Sequence, residues 1–289
     1  MKQVASLRYG VIFKKAFGDP EIFNAFVSAI LGITFETETV ETEKTFTLPI
    51  GRIQPRFDLF AEDKKNRVIV DIQHERHADH YDRFLHYHCV ALLEQVRNSL
   101  DYRPELKVFT IVVLTSGDRY KKDVLITDFD PHDLEGHKLG MIPHKIIYLC
   151  PKYLTDKTPA IYQEWLQAIA DSLDEQVDET HYPSPIIQKI FQHIEKDVVS
   201  PEERARMIEE YHLEELKREQ FVEGLTKGRL EGQLEGQMVL LQRLLEKRFG
   251  ILPTWALKRL QHADREQLEQ WSWHVLEATA LEQVFGVGE

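Results

Sequence analysis

Apolar and polar positions change their period several times along the chain, and each change marks an element. Phe13, Phe17, Phe23, Phe26, Ile30 and Leu31 recur at helical spacings, and Gly32 supplies a stop. Inside that run, Asp19 and Pro20 read as the cap and first position of a second helix. Residues 35–48 are rich in Thr, Phe and Val in rough alternation, which predicts strand and hairpin. "IQPRFDLFA" (53–61) and "RVIVDIQ" (67–73) predict two strands joined by the charged turn "EDKKN", the second arm more buried than the first. A helix is predicted over 79–100, with Tyr81, Phe84, Leu85, His88, Leu92 and Val96 on one broad face. "LKVFTIVVLTS" (106–116), the most hydrophobic run, predicts a central strand, and "HKIIYLC" (144–150) predicts another. Beyond Pro159 the pattern predicts helix to the end. This order implies an α/β fold, a mixed central sheet flanked by helices, followed by an all-helical region.

Ser200-Pro201-Glu202-Glu203 is a helix start, with a Ser cap, Pro at the first position and a capping-box Glu. Gly224, Gly228, Gly232 and Gly236 then recur every four residues. Each costs about 1 kcal/mol in a helix interior relative to alanine. Close approach of a partner helix would account for them, and so would a frayed linker. The stretches 238–249, 252–260 and 265–276 predict a small helical module with Trp255, Trp271 and Trp273 in its core. The expected organisation is therefore 1–199, a long helix or glycine-repeat linker over 200–237, and a helical domain over 238–289.

Hydrophobic content of 43% and charged content of 29% describe a soluble globular chain. No apolar run approaches a membrane span, and the first residues carry no signal-peptide pattern. Two cysteines exclude a disulfide framework, so a cytoplasmic location and no membrane partner are expected. The net charge of −12 argues against nucleic acid until its distribution is considered. Residues 171–223 contain 15 acidic and 6 basic side chains, whereas 51–76 contain 5 acidic and 6 basic ones. A phosphate backbone could thus approach the N-terminal part, because local potential governs steering.

The stretch "RVIVDIQHER" (67–76) raises the central chemical question. Asp71, Gln73 and Glu75 alternate at the end of an apolar strand, so they share one face. Burying such a row is costly unless something pairs with it. Asp58 on the first arm can lie beside Asp71 across the short turn, and two adjacent carboxylates raise one another's pKa. Mg²⁺ would resolve that conflict. An ion-pair network with Arg56, Arg67 or Arg76 would do so equally well. Five histidines, His74, His77, His80, His86 and His88, crowd the same region without a zinc-ligand spacing. No P-loop, dinucleotide fingerprint or G-x-S-x-G sequence is present.

"RYGVIFKKAFGDPEIFNAFVSAILG", "PRFDLFAEDKKNRVIVDIQ" and "HYDRFLHYHCVALLEQV" together resemble the transposase-like, recombination-promoting branch of the PD-(D/E)XK nucleases, over roughly the first 150 to 200 residues. The resemblance implies a restriction-endonuclease-like sheet and Mg²⁺-dependent hydrolysis of DNA. It implies Asp58 and Asp71 as metal ligands, the main-chain carbonyl of Ile72 as a third, and Gln73 as the group that orients the attacking water. Arg83 and Tyr87 match the R-x-x-x-Y pair of the helix beside the active strand, and Arg56 and Glu75 are read as supporting positions. Two positions depart from the group's pattern: Gly10 stands where an Asp is common, and Asp71 where a Glu is usual. "LLQRLLEKRFGILPTWALKRL" resembles a small helical domain often appended to such proteins, with homo-oligomerisation through the C-terminal helices as a further expectation. An alternative reading is a DNA-binding or assembly protein that keeps the fold without cutting.

Overall fold

The computed structural model describes residues 1–46, 55–74, 80–96 and 102–286. Parts of the elements predicted over 35–48, 53–61 and 79–100 fall outside those residues, as do Glu75, Arg76 and His77.

Along the chain run β1 (Lys2–Gln3), α1 (Gly10–Phe17), α2 (Pro20–Leu31), β2 (Glu41–Thr45), β3 (Arg56–Glu62), β4 (Asn66–Gln73) and α3 (His80–Leu93). Then come β5 (Lys107–Leu114), β6 (Val124–Asp128), β7 (Lys145–Leu149), α4 (Ala160–Asp171), β8 (Gln176–Val177) and α5 (Pro185–His193). The long α6 (Pro201–Phe249), α7 (Thr254–Gln261), α8 (Arg265–Glu277) and α9 (Leu281–Val284) complete it. Contacts divide the chain into two compact units, Met1–Tyr211 and His212–Glu289.

In the first unit a six-stranded mixed sheet has the order β2-β3-β4-β5-β7-β6. β3 and β4 form the antiparallel hairpin that the charged turn predicts. β4, α3 and β5 form a parallel crossover unit, and β5 pairs with β7 in parallel. On one face α1, α2, α4 and α5 pack over Val68, Val70, Phe109, Ile111 and Val113. On the other, α3 packs Phe84, Tyr87 and Val90 over Ile69, Val108, Val112 and Leu114. Alternate residues of β4 and β5 thus enter two cores, which is why neither strand reads as amphipathic. Helix α2 starts as expected, with the Asp19 carboxylate accepting from the N–H groups of Glu21 and Ile22.

Two features depart from the sequence reading. The region after Pro159 is not wholly helical, since β8 pairs with β1 in a short antiparallel ladder. The edge strand β6 lacks a recognisable signal because its residues are mostly half-exposed.

In the second unit, α6 stays helical through all four glycines, and beyond the adjacent residues and the helix's own backbone no described atom lies within 4 Å of the place a Cβ would occupy on any of them. Leu241, Leu245, Leu260, Leu268, Trp271 and Val275 form this unit's core. Trp273, expected inside, is 68% exposed, and Trp255 is 37% exposed. The buried face of α8 is Leu268, Trp271 and Val275, and a residue two positions past Trp271 lies on the opposite side of a helix.

Candidate active site

β4 is buried almost end to end because it lies inside the sheet, between β3 and β5. Asp71 and Gln73 follow Ile69 at alternate positions, so they take the face on which α3 packs. Asp71 is only 3% exposed and Gln73 is also buried.

The ladder between β3 and β4 runs inward from Glu62↔Arg67 to Leu59↔Val70, and one step further in the same register Asp58 faces Asp71. There the carboxylates take over from the main chain. Asp71 Oδ1 accepts from the Asp58 N–H at 3.1 Å, and Asp58 Oδ2 accepts from the Ile72 N–H at 3.1 Å. Asp71 Oδ2 is buried with no hydrogen-bond partner among the described residues. Such an orphaned oxygen is costly, because a buried acceptor loses its water without recompense.

Neither Arg56 nor Arg67 closes this gap, and Arg76 lies outside the described residues. Arg67 instead pairs with Glu62 at 2.5 Å and Glu94 at 2.7 Å, and donates to the Ala91 carbonyl at 2.8 Å. It ties the hairpin to α3, far from the role of neutralising the pair. Arg56 pairs with Glu43. Lys14 of α1 stands with its Nζ 3.9 Å from Asp58 Oδ1 while donating to Glu43 Oε1 at 2.8 Å. Arg83 pulls on both aspartates electrostatically and lies over the Phe84 and Tyr87 rings, 5.5 and 5.3 Å from their centroids. Tyr87 is itself a core ring, edge-on to Phe57 and Phe84.

Glu43 and Lys14 are the residues that the sequence pattern does not single out. The β2–β3 register brackets Glu43 opposite Asp58, so Glu43, Asp58 and Asp71 stand in one row across three adjacent strands. Glu43 also has a φ of 57°, the left-handed region a non-glycine residue seldom enters. Alternation in "ETEKT" hints at an edge strand, but register comes from pairing, which spacing within one strand does not encode.

The charges on this row are set by burial. The Asp58 carboxyl is pushed up by burial, against the pull of the Ile72 N–H and of the Lys14 and Arg83 charges. Asp71 is held well above the usual carboxylate range, first by burial and then by the Asp58 charge. Glu43 is lowered, chiefly by the hydrogen bond from Lys14. The inner two carboxylates are therefore short of positive charge, while the outer one is satisfied. An all-oxygen donor set with one buried, unpartnered oxygen fits a hard divalent cation.

The model of the PD-(D/E)XK nuclease family transposase matches residues 9–218. The chain belongs to that family. No curated protein and no solved structure matches it. The match spans α1, the hairpin and α3, the elements that carry Lys14, the two aspartates, Gln73 and Arg83. The mixed six-stranded sheet flanked by helices agrees with the restriction-endonuclease-like fold that membership in the PD-(D/E)XK nuclease family transposases implies.

Other clusters are less built. Of the histidines of the region, His74 lies 2.8 Å from the Thr115 hydroxyl and His88 lies 2.9 Å from the Thr110 hydroxyl. Asp133, Glu135 and His137 bring ligand atoms within 4.8 Å of one another, but all three lie exposed on the loop between β6 and β7. Cys89 and Cys150 are free thiols. Among the described residues no helix is long and apolar enough to cross a membrane.

Proposed function

We propose that the protein is a Mg²⁺-dependent DNA endonuclease in which Asp58 and Asp71 hold the metal, with the Ile72 carbonyl as a third ligand. The observation that carries this reading is the pair itself: the buried Asp71 carboxylate and the half-buried Asp58 carboxylate locked face to face at the end of a ladder, the buried one with an oxygen left over. Mg²⁺ at such a pair lowers the pKa of bound water and stabilises charge on a phosphoryl oxygen. The protein's own groups do the rest. The hairpin register fixes the two carboxylates in advance, so no reorganisation is needed when a phosphodiester arrives. Gln73, on the same face as Asp71, orients the attacking water through its amide. Lys14 and Arg83 supply positive charge near the aspartates and favour an incoming phosphate.

Nicking of supercoiled plasmid with and without Mg²⁺ tests the reading. Wild type cuts only with the metal, and Asp58→Ala and Asp71→Ala each lower the rate by at least about 100-fold, the scale of a lost electrostatic group. Mg²⁺ also raises the melting temperature of wild type but not of either variant, because only a site that binds the folded state stabilises it. Equal cutting by all three proteins sinks the assignment. Salt-dependent DNA binding without metal-stimulated cutting supports the other reading, a DNA-binding or assembly protein that retains the fold.

A further inference from the structure

We propose that the exposed turn Arg119-Tyr120-Lys121-Lys122 is a DNA-backbone docking loop for the Asp58–Asp71 site, an inference that rests on the nuclease reading above. The turn lies beside the active strand. β5 pairs with β4 up to Gln73↔Leu114, and the next residue, Thr115, donates its N–H to the Gln73 carbonyl at 3.1 Å. Thr115 Oγ1 also lies 2.8 Å from His74 Nδ1. The five residue steps from Leu114 to Arg119 span at most about 18 Å. A strand spacing of about 5 Å adds little to that. The loop thus lies within roughly six base steps of Gln73, at 3.4 Å per step.

The turn is held from inside and leaves its charges outside. Gly117 has a φ of +70°, and a Cβ on it would meet the Tyr153 ring at 2.3 Å, so the backbone turns tightly against that ring. Asp118 is 1% exposed. Its Oδ1 accepts from the N–H groups of Tyr120 and Lys121 at 3.0 and 3.1 Å, and its Oδ2 accepts from the Tyr81 hydroxyl. Tyr81 lies in the first turn of α3, two residues before Arg83, whose charge acts on both aspartates. The first turn of α3, which also carries Arg83, therefore braces the loop.

Among the described residues no carboxylate forms an ion pair with the turn. Of its flanking acids, Asp118 is spent as described, and Asp123 accepts from the Val124 N–H at 2.9 Å and the Thr158 hydroxyl at 2.5 Å. Lys121 and Lys122 are exposed and have no carboxylate partner among the described residues. Arg119 donates to the Tyr120 hydroxyl at 2.9 Å and stacks 4.8 Å from its ring centroid, with Tyr120 itself 55% exposed. The cleft beside α1, about 550 Å³, has both of its lysines paired, Lys14 with Glu43 and Lys15 with Glu203, and its other basic residue, Arg206, shares the lining with Glu43, Glu202 and Glu203. In a chain of net charge −12, three neighbouring cations with no carboxylate partner among the described residues, and an aromatic among them, fit a sugar–phosphate backbone.

The test uses the full chain in EDTA, with a fluorescein-labelled DNA duplex followed by anisotropy from low to moderate salt. Arg119→Ala/Lys121→Ala/Lys122→Ala is compared with wild type and with Lys227→Ala/Arg229→Ala/Arg243→Ala, which removes equal charge from exposed positions of α6. Each phosphate contact contributes about 0.9 to the slope of log affinity against log salt. Loss of three contacts flattens the slope by about 2.7, so the fall in affinity between about 50 and 200 mM salt shrinks roughly 40-fold. The α6 variant keeps the wild-type slope. An unchanged slope in the loop variant, an equal loss in the α6 variant, or a wild type that binds no duplex overturns the proposal. Plasmid cutting separates the two readings. A loop variant that binds and cuts like wild type refutes the loop alone, while a wild type that binds through the loop and never cuts refutes the nuclease alone.

Discussion

At the scale of single residues, the Asp58–Asp71 pair exchanges stability for a site. Both carboxyls are pushed up, Asp71 by burial and by its neighbour's charge. A carboxyl whose folded pKa lies above its unfolded value holds its proton more tightly when folded. Its contribution to stability is therefore present in acid and lost as pH rises from about 4 through the folded value. Asp71→Asn keeps an oxygen to accept from the Asp58 N–H and removes the charge conflict. In metal-free buffer at pH 8 we expect this variant to be more stable than wild type by about 0.5–2 kcal/mol. The gap should close as the pH falls toward 4. Thermal melts across that range check it, and a wild type that is the more stable protein at pH 8 would contradict the account.

Elements place these residues, and one side chain between them does most of the joining. Arg67 is buried at 7% exposure and bonds Glu62 on β3, Glu94 just beyond α3, and the Ala91 carbonyl within α3. Charge-assisted hydrogen bonds of this kind contribute about 1.5–3 kcal/mol. Arg67→Met should cost that much in urea unfolding yet leave the Mg²⁺-induced rise in melting temperature intact, since no bond from Arg67 reaches either aspartate. Loss of the metal response together with stability would instead make Arg67 part of the site. The start of α6 has a comparable role. Its capping box is complete, with Ser200 Oγ accepting from Glu203 at 3.1 Å and Glu203 Oε2 accepting from Ser200 at 2.7 Å. The same Glu203 pairs with Lys15, and Glu210 Oε2 accepts from the Gly10 N–H at 2.9 Å. A carboxylate from α6 thus sits on the N-terminus of α1, where the helix dipole favours it.

For the whole molecule, these contacts hold the start of α6 on the first compact unit, Met1–Tyr211. A chain ended after Tyr211 is expected to melt cooperatively and to keep the Mg²⁺ response. One ended after Val199 loses the partners of Lys15 and of the Gly10 N–H, and should melt several degrees lower. Similar melting of the two would argue that the start of α6 adds nothing to the first unit. The acidity of 171–223 also finds its use here. Glu179 and Glu195 pair with Lys2, and Glu203 with Lys15, so part of that charge is spent inside the first unit and away from the 119–122 turn.

By itself the sequence determined the layered α/β plan, the β3–β4 hairpin, the caps of α2 and α6, and the pairing of Asp58 with Asp71. All of these rest on local periodicity, turn chemistry or a spacing that one short turn constrains. Tertiary structure alone decided what surrounds the pair. Arg67 turned out to hold a helix, Arg56 to hold Glu43, and Lys14 to approach Asp58 from a helix more than forty residues earlier in the chain. It likewise decided that Glu43 stands in register with the aspartates, that Trp273 faces solvent, and that Asp118 turns inward beneath three lysine and arginine side chains. Each of these depends on which strand pairs with which, and on which side of a helix meets the core. Such facts belong to contacts between distant segments, and no window of sequence contains them.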